Sequence, residues 1–158
     1  MNNPDKKLNY QSNKPLGLCC DHAGFELKQY VVQLLIDNGI PYEDFGTYSA
    51  ERCDYADFAH RMSNAIEDGR CAMGIAICGS GNGINMTLNK HQKIRSALCW
   101  EEELAVLCRS HSNANVQNMP SRFIDKEEAY KIGSAFFYTP YEGGRPQTRL
   151  DNIPLSHS

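Results

Sequence analysis

The run Met73-Gly74-Ile75-Ala76-Ile77-Cys78 passes without a linker into Gly79-Ser80-Gly81-Asn82-Gly83. A short uninterrupted apolar run is the signature of a strand buried on both faces, and such strands belong to parallel sheets covered by helices. Ending that strand in alternating glycines leaves backbone N–H groups exposed at its tip. If a helix starts there, its first amides and its dipole face the crevice beyond the sheet and favour an anion. A thiol at the mouth of such a hole suits a reaction in which negative charge develops on a substrate oxygen. The chain therefore reads as an enzyme.

The rest of the sequence repeats the alternation. Leu16 to Cys20 is a first buried strand, followed by the turn Asp21-His22-Ala23-Gly24. From Phe25 to Asn38 the residues Leu27, Val31, Leu34 and Leu35 recur at helical spacing before Gly39. Tyr42 to Phe45 is a second strand. Asp54 caps a helix whose apolar face is Tyr55, Phe58, Ala59, Met62, Ala65 and Ile66. After the third strand and its glycine loop come a helix, a strand over 94–100, a helix over 101–110 and a strand over 115–119. Lys126 to Tyr138 forms a helix with Ala129, Ile132, Gly133 and Phe136 on one face, and a last short helix starts at Arg145. The expected fold is α/β: a three-layer αβα sandwich with a five-stranded parallel, Rossmann-like sheet and a C-terminal helix. Residues 15–158 are expected to form one domain behind a polar, mobile leader over 1–14.

Composition narrows the function. The 158 residues carry a net charge of -3, which argues against nucleic acid as the main partner. No apolar run is long enough to span a bilayer, and Met1 to Lys14 lacks the apolar stretch of a signal peptide. The cysteines are 7 in number, several of them inside apolar runs, a pattern that fits free thiols in a reducing cytoplasm. No Cys-x-x-Cys or His-x-x-x-His pair occurs, so no metal site is expected.

Ligands on parallel sheets bind at the carboxyl ends of the strands. That rule selects Asp21 and His22 after the first strand, and Cys78 with its glycine loop after the third. Cys78 reads either as a small apolar residue closing a strand or as a base whose pKa is lowered by nearby amides and a helix N-terminus. Asp21-His22 reads equally as a turn and helix cap. His111 lies in the loop His111-Ser112-Asn113-Ala114-Asn115, expected at the opposite edge of the sheet. It would join Cys78 only if the helix end leaned over or a second subunit delivered it. Arg145 and Arg149, four apart on one helix with Pro146 in its first turn, could converge on a phosphate or simply form a solvated basic face. Arg122 is a further candidate for the same anion.

Taken together and in order, Cys20 to Gly24, Asp54-Tyr55, Ile77 to Gly83, Asn89-Lys90, the His111 to Asn115 loop and Glu142-Gly143-Gly144-Arg145 resemble type B ribose-5-phosphate isomerase, over about Leu16 to Ile153. The resemblance implies cofactor-independent interconversion of ribose 5-phosphate and ribulose 5-phosphate through an enediolate, in the pentose phosphate pathway. It implies Cys78 as the base and Gly79, Ser80, Gly81, Asn82 and Gly83 as the enediolate cradle. His111 would open the furanose ring with help from Asp21, and Tyr55 and Ser112 would contact the sugar. His22, Arg145 and Arg149 would hold the phosphate, with Arg122 contributed from a partner chain. It further implies a homodimer or homotetramer with active sites at the subunit interface.

The chain departs from the family pattern in three places. Pro146 stands where a histidine is frequent, Ser112-Asn113 where Asn-Asp is common, and Ile84 where some members place a glutamate base. The alternatives are an isomerase of allose 6-phosphate or galactose 6-phosphate, or a non-catalytic sugar-phosphate-binding protein. A nucleotide-dependent dehydrogenase would need its glycine fingerprint after the first strand. A cysteine phosphatase would need an arginine where Ile84 and Asn85 stand.

Overall fold

A computed structural model of the chain describes residues 8–155. Five strands, β1 (Leu16–Cys20), β2 (Tyr42–Asp44), β3 (Met73–Cys78), β4 (Ser96–Leu98) and β5 (Val116–Pro120), form one sheet in the order β2-β1-β3-β5-β4. Every pairing is parallel. The helices are α1 (Phe25–Asp37), α2 (Tyr55–Glu67), α3 (Asn82–Leu88), α4 (Glu102–Ser110), α5 (Lys126–Tyr138) and α6 (Arg145–Asp151), with a 3-10 turn over His22–Gly24.

The strand alternation sorts side chains into two layers. Leu16, Leu18, Cys20, Ile75 and Ile77 pack with Leu27, Val31 and Leu35 of α1, Ala105 of α4, and Ala129, Ile132 and Phe136 of α5. Cys19, Ala76 and Cys78 point the other way, onto Ala59, Met62 and Ala65 of α2 and Ile84 and Leu88 of α3. This is the expected αβα sandwich. Asp54 caps α2 as expected, its carboxylate accepting the Ala56 N–H at 3.0 Å.

β4 is shorter than the 94–100 span suggested by its apolar residues. Ile94 is buried, but its N–H closes a turn on the His91 carbonyl at 3.0 Å instead of joining the ladder. Of the leader, residues 1–7 lie outside the described residues. From Leu8 on the chain lies against the body: Leu8 is buried and its N–H donates to Asn38 Oδ1 at 3.1 Å, while the Tyr10 ring meets Phe137 edge-on at 5.5 Å. No helix among the described residues is long and apolar enough to cross a membrane.

Because the chain leaves β1 toward β2 and then returns to β3 on β1's other side, the order reverses between β1 and β3. The carboxyl ends of those two strands bound the crevice where ligands bind in open α/β sheets.

Candidate active site

Cys78 ends β3 in that crevice and is buried. Its thiol lies under the N–H groups of Gly81 and Ile84 and beside the Asp21 carboxylate. Asp21 is held by the turn that follows β1: its N–H donates to the Ile77 carbonyl at 3.1 Å, and its Oδ1 accepts the Gly24 N–H at 2.9 Å. Gly24 is needed for this approach, since a Cβ there would sit 2.6 Å from the Ile77 carbonyl oxygen. The two strand ends thus lock the carboxylate against the thiol.

Gly81 is the N-cap of α3 with φ 82°, a left-handed conformation that glycine adopts freely. Its carbonyl accepts the Nδ2–H of Asn118 at 2.9 Å, and Asn118, wholly buried on β5, ties the loop to the next strand. Gly83 packs directly under the Tyr55 ring, whose Cζ would stand 2.4 Å from a Cβ at that position. Ser80 and Asn82 are exposed on the loop, with the Asn82 N–H reaching Ser80 Oγ at 3.3 Å.

The electrostatics of Cys78 differ from the sequence-based expectation of a lowered pKa. Burial pushes the thiol up most, and the Asp21 charge and its hydrogen bond with the thiol push it further. The amides of Ile84 and Gly81 act in the opposite direction and are outweighed. The resting group is therefore a thiol directed at a carboxylate, and two amides stand ready for the thiolate.

Arg122 was expected from a partner chain, but it lies over the loop of its own chain. The turn after β5 folds back, with Ser121 N–H donating to the Cys78 carbonyl at 2.9 Å and Arg122 N–H to the Gly79 carbonyl at 3.0 Å. A Cβ on Gly79 would stand 3.2 Å from Arg122 Nε. Ser121 Oγ also donates to the Ala23 carbonyl at 3.0 Å, linking this turn to the Asp21-His22 turn. His22 lies in that turn, half-buried, and its Nδ1 is buried with no partner among the described residues. Asn118 and Ser121 are supports that the sequence reading missed. Only the pairing of β5 with β3 reveals them.

His111, Ser112, Arg145 and Arg149 are elsewhere. The expected position at the opposite edge of the sheet is wrong in one respect: β5 is the direct neighbour of β3, and the separation runs along the strands. Gly74 pairs with Val116 and Cys78 with Pro120, so His111 precedes the amino end of β5 while Cys78 stands at the carboxyl end of β3. Four residues of strand alone separate those ends by roughly 13 Å. His111 is exposed, 3.6 Å from Glu142, and the Glu142 N–H donates to the Ser110 carbonyl at 3.0 Å. The segment leading into α6 is thereby fixed at the same amino end. The exposed Arg145 and Arg149 sit four apart on α6, which starts behind the left-handed Gly143 and Gly144. The candidate residues thus form two groups at opposite ends of the sheet.

At the carboxyl end, beside the glycine loop, a cavity of about 440 Å³ is lined by Ser80, Asn82, Leu98, Trp100, Pro120 and Phe123. Trp100 and Phe123 are 52% and 73% exposed there, an apolar rim next to the polar loop.

A family model described as Ribose/Galactose Isomerase matches residues 16–153. The chain is 40% identical over 140 residues to ribose-5-phosphate isomerase B of Escherichia coli (strain K12), covering 89% of this chain and 94% of that one. A crystal structure of a ribose 5-phosphate isomerase from Thermotoga maritima superposes with a TM-score of 0.88 at 40% identity, over 90% of this chain and 99% of that one. Ribose-5-phosphate isomerase B from Mycoplasma genitalium, solved with bound ribulose-5-phosphate, gives 0.84 at 34% identity over 90% and 95% of the two chains.

Proposed function

This chain belongs to the ribose/galactose isomerase family, and from that premise we infer that it is a ribose-5-phosphate isomerase that uses Cys78 as its base. The observation that carries the role of Cys78 is its thiol at the β1/β3 crevice, under the amides of Gly81 and Ile84 and beside Asp21.

The hydrogen on C2 of an open-chain aldose is weakly acidic because the resulting charge must spread onto the C1 oxygen. Cys78 as thiolate takes that proton, and the Gly79–Gly83 loop holds the enediolate oxygens with backbone N–H groups. The same thiol returns the proton to C1 while the hydroxyl proton on O2 passes to O1, giving the ketose. The elevated pKa makes the thiolate a strong base once formed. Asp21 shifts its hydrogen bond to the sugar as the substrate enters, so its repulsion of the thiolate falls at the moment of proton abstraction. Tyr55 borders the sugar across Gly83.

His22 and Arg122 bind the phosphate from the carboxyl-end group, and Arg145 and Arg149 bind it from α6. Remote phosphate binding then supplies energy used at the reacting carbons. His111 donates the proton that opens the furanose ring, with Ser112 against the sugar. These amino-end residues come from a second copy of the chain, so that each copy lends one group and receives the other. The exposed rim of Trp100 and Phe123 beside the loop supports a partner covering this face. A homodimer is the smallest assembly that completes the site. Seven free cysteines suit a reducing cytoplasm, where the pentose phosphate pathway would use this reaction.

The test is ketose formation from ribose 5-phosphate by the purified protein and by Cys78→Ala. The reading expects the rate to drop by about 10²- to 10⁴-fold with the fold intact, the range for loss of a positioned base. A folded Cys78→Ala protein with near-normal turnover would remove the mechanism.

A further inference from the structure

Asn113 is the only described non-glycine residue with a positive φ, 46°. It sits directly after His111-Ser112 in the loop joining α4 to β5, and two guanidinium groups hold it. Arg109, in the last turn of α4, donates from Nη1 to Asn113 Oδ1 at 3.1 Å and to the Ala114 carbonyl at 2.5 Å. Arg95, just ahead of β4, donates from Nε to the Asn113 carbonyl at 2.9 Å. Asn115 extends the clamp, its Oδ1 accepting the Arg95 N–H and its Nδ2 donating to the Lys93 carbonyl, each at 2.8 Å.

Neither arginine has a carboxylate within ion-pair distance among the described residues; their side-chain hydrogen bonds go to this loop. The Arg109 stem lies against the core, its guanidinium 5.8 Å from the Phe136 ring centre. Asparagine tolerates the left-handed region better than most residues but still visits it rarely. Charge-assisted bonds to its side chain and carbonyl are roughly twice as strong as neutral ones and select that conformation. The imidazole of His111 has much less to orient it, being 57% exposed with one carboxylate at 3.6 Å. Its direction is therefore set by the backbone of the turn.

We propose that Arg109 is a positioning residue for ring opening: by locking the turn at Asn113 it presents His111 and Ser112 in the geometry that the furanose oxygen requires. The inference rests on the reading of His111 as the ring-opening acid. Arg109 touches no substrate; it acts through the loop.

The test exploits a difference between the two sugars. Ribulose 5-phosphate cannot close a furanose ring, because its C5 oxygen carries the phosphate. Exchange of its C1 hydrogen with deuterium oxide therefore reports proton abstraction by Cys78 alone. Arg109→Met keeps the stem on Phe136 and removes the guanidinium; Arg109→Lys restores one donor. Both are compared with His111→Gln by turnover of ribose 5-phosphate, by C1 exchange and by thermal unfolding.

Arg109→Met is expected to lower kcat on ribose 5-phosphate roughly 10- to 100-fold, the cost of a misplaced catalytic group, while C1 exchange stays near the wild-type rate. His111→Gln should show the same split, and Arg109→Lys an intermediate loss. Equal falls in turnover and exchange, or no fall in either, would overturn the role of Arg109. If His111→Gln itself turned over ribose 5-phosphate normally, the assignment of His111 would fail and this inference with it. The split in His111→Gln without one in Arg109→Met would sink the inference alone.

Discussion

Gly81→Ala tests whether the loop beneath Cys78 depends on a backbone shape that only glycine supplies. Gly81 has φ 82° and ψ -16°, and holding an L-residue there costs about 1–2 kcal/mol. A Cβ would also stand 2.3 Å from Leu98 Cδ1 and 3.2 Å from Asn118 Oδ1. The backbone cannot move aside, because the Gly81 carbonyl accepts Asn118 Nδ2 at 2.9 Å and the Asn85 N–H at 3.0 Å, while its N–H faces Cys78 Sγ. The Leu98 side chain must yield instead, and overpacking of that kind costs about 1–3 kcal/mol. The sum is a destabilisation of about 2–5 kcal/mol. Leu98→Ala separates the two parts. In the double variant the overlap is relieved, giving a coupling energy of about 1–3 kcal/mol, whereas the backbone part of about 1–2 kcal/mol remains. The assay is urea unfolding of all four proteins at a common slope, with turnover measured where each is folded. Because the bonds to Asn118 and Asn85 hold the Gly81 peptide in place, its amide still faces Cys78, and turnover of the folded double variant should match that of Leu98→Ala. A Gly81→Ala protein within about 0.5 kcal/mol of wild type, or a cycle with no coupling, would refute the reasoning.

Asp21→Asn removes the charge and the acceptor that help raise the Cys78 pKa, leaving burial as the main cause. The pH profile of Cys78 alkylation by iodoacetamide should then move to lower pH; an unchanged or upward-moved profile would show that Asp21 does not govern the thiol. With Cys78 proposed as the base, which must act as a thiolate, and with its pKa above the ordinary thiol value, kcat/KM of the wild-type enzyme should rise with pH through the alkaline range. Lys28→Met should destabilise the protein by about 2–4 kcal/mol in urea. Lys28 Nζ is wholly buried between Asp44 Oδ1 at 2.6 Å and the Thr47 carbonyl at 2.5 Å, and water reaches only part of the Asp44 left behind. Asp44→Asn added to it should recover some of the loss, and a cost under about 0.5 kcal/mol for Lys28→Met would show that the pair is not needed.

Local pattern was legible where one stretch of chain determines one element. β1 and β3 run over the expected residues, and α5 buries Ala129, Ile132, Gly133 and Phe136 as their spacing requires. Lys28 escaped because it falls one position from Leu27 on α1. There a lysine reads as the edge of the polar face until Asp44 at the end of β2 and Thr47 in the loop after it arrive. The helix period says which residues share a face, and it cannot say which loop will cover that face's margin.

The site shows the same limit on a larger scale. The residues after β1 and β3 could be paired from the strand-end rule, since that rule needs only the direction of each strand. Placing His111 needed the strand order as well. With β5 beside β3, the loop entering β5 falls at the amino end, and no rotamer of His111 spans the length of the sheet. The same adjacency brings Ser121 and Arg122 onto Cys78 and Gly79, because the residues leaving β5 emerge beside those leaving β3. One unread fact of topology thus moved two residues in opposite senses, Arg122 into the thiol's half of the site and His111 out of it. On the proposed roles of Cys78, His111 and α6, the base lies at one end of the sheet and the proton donor and phosphate helix at the other. A single catalytic geometry would then require that far end to be presented to another copy.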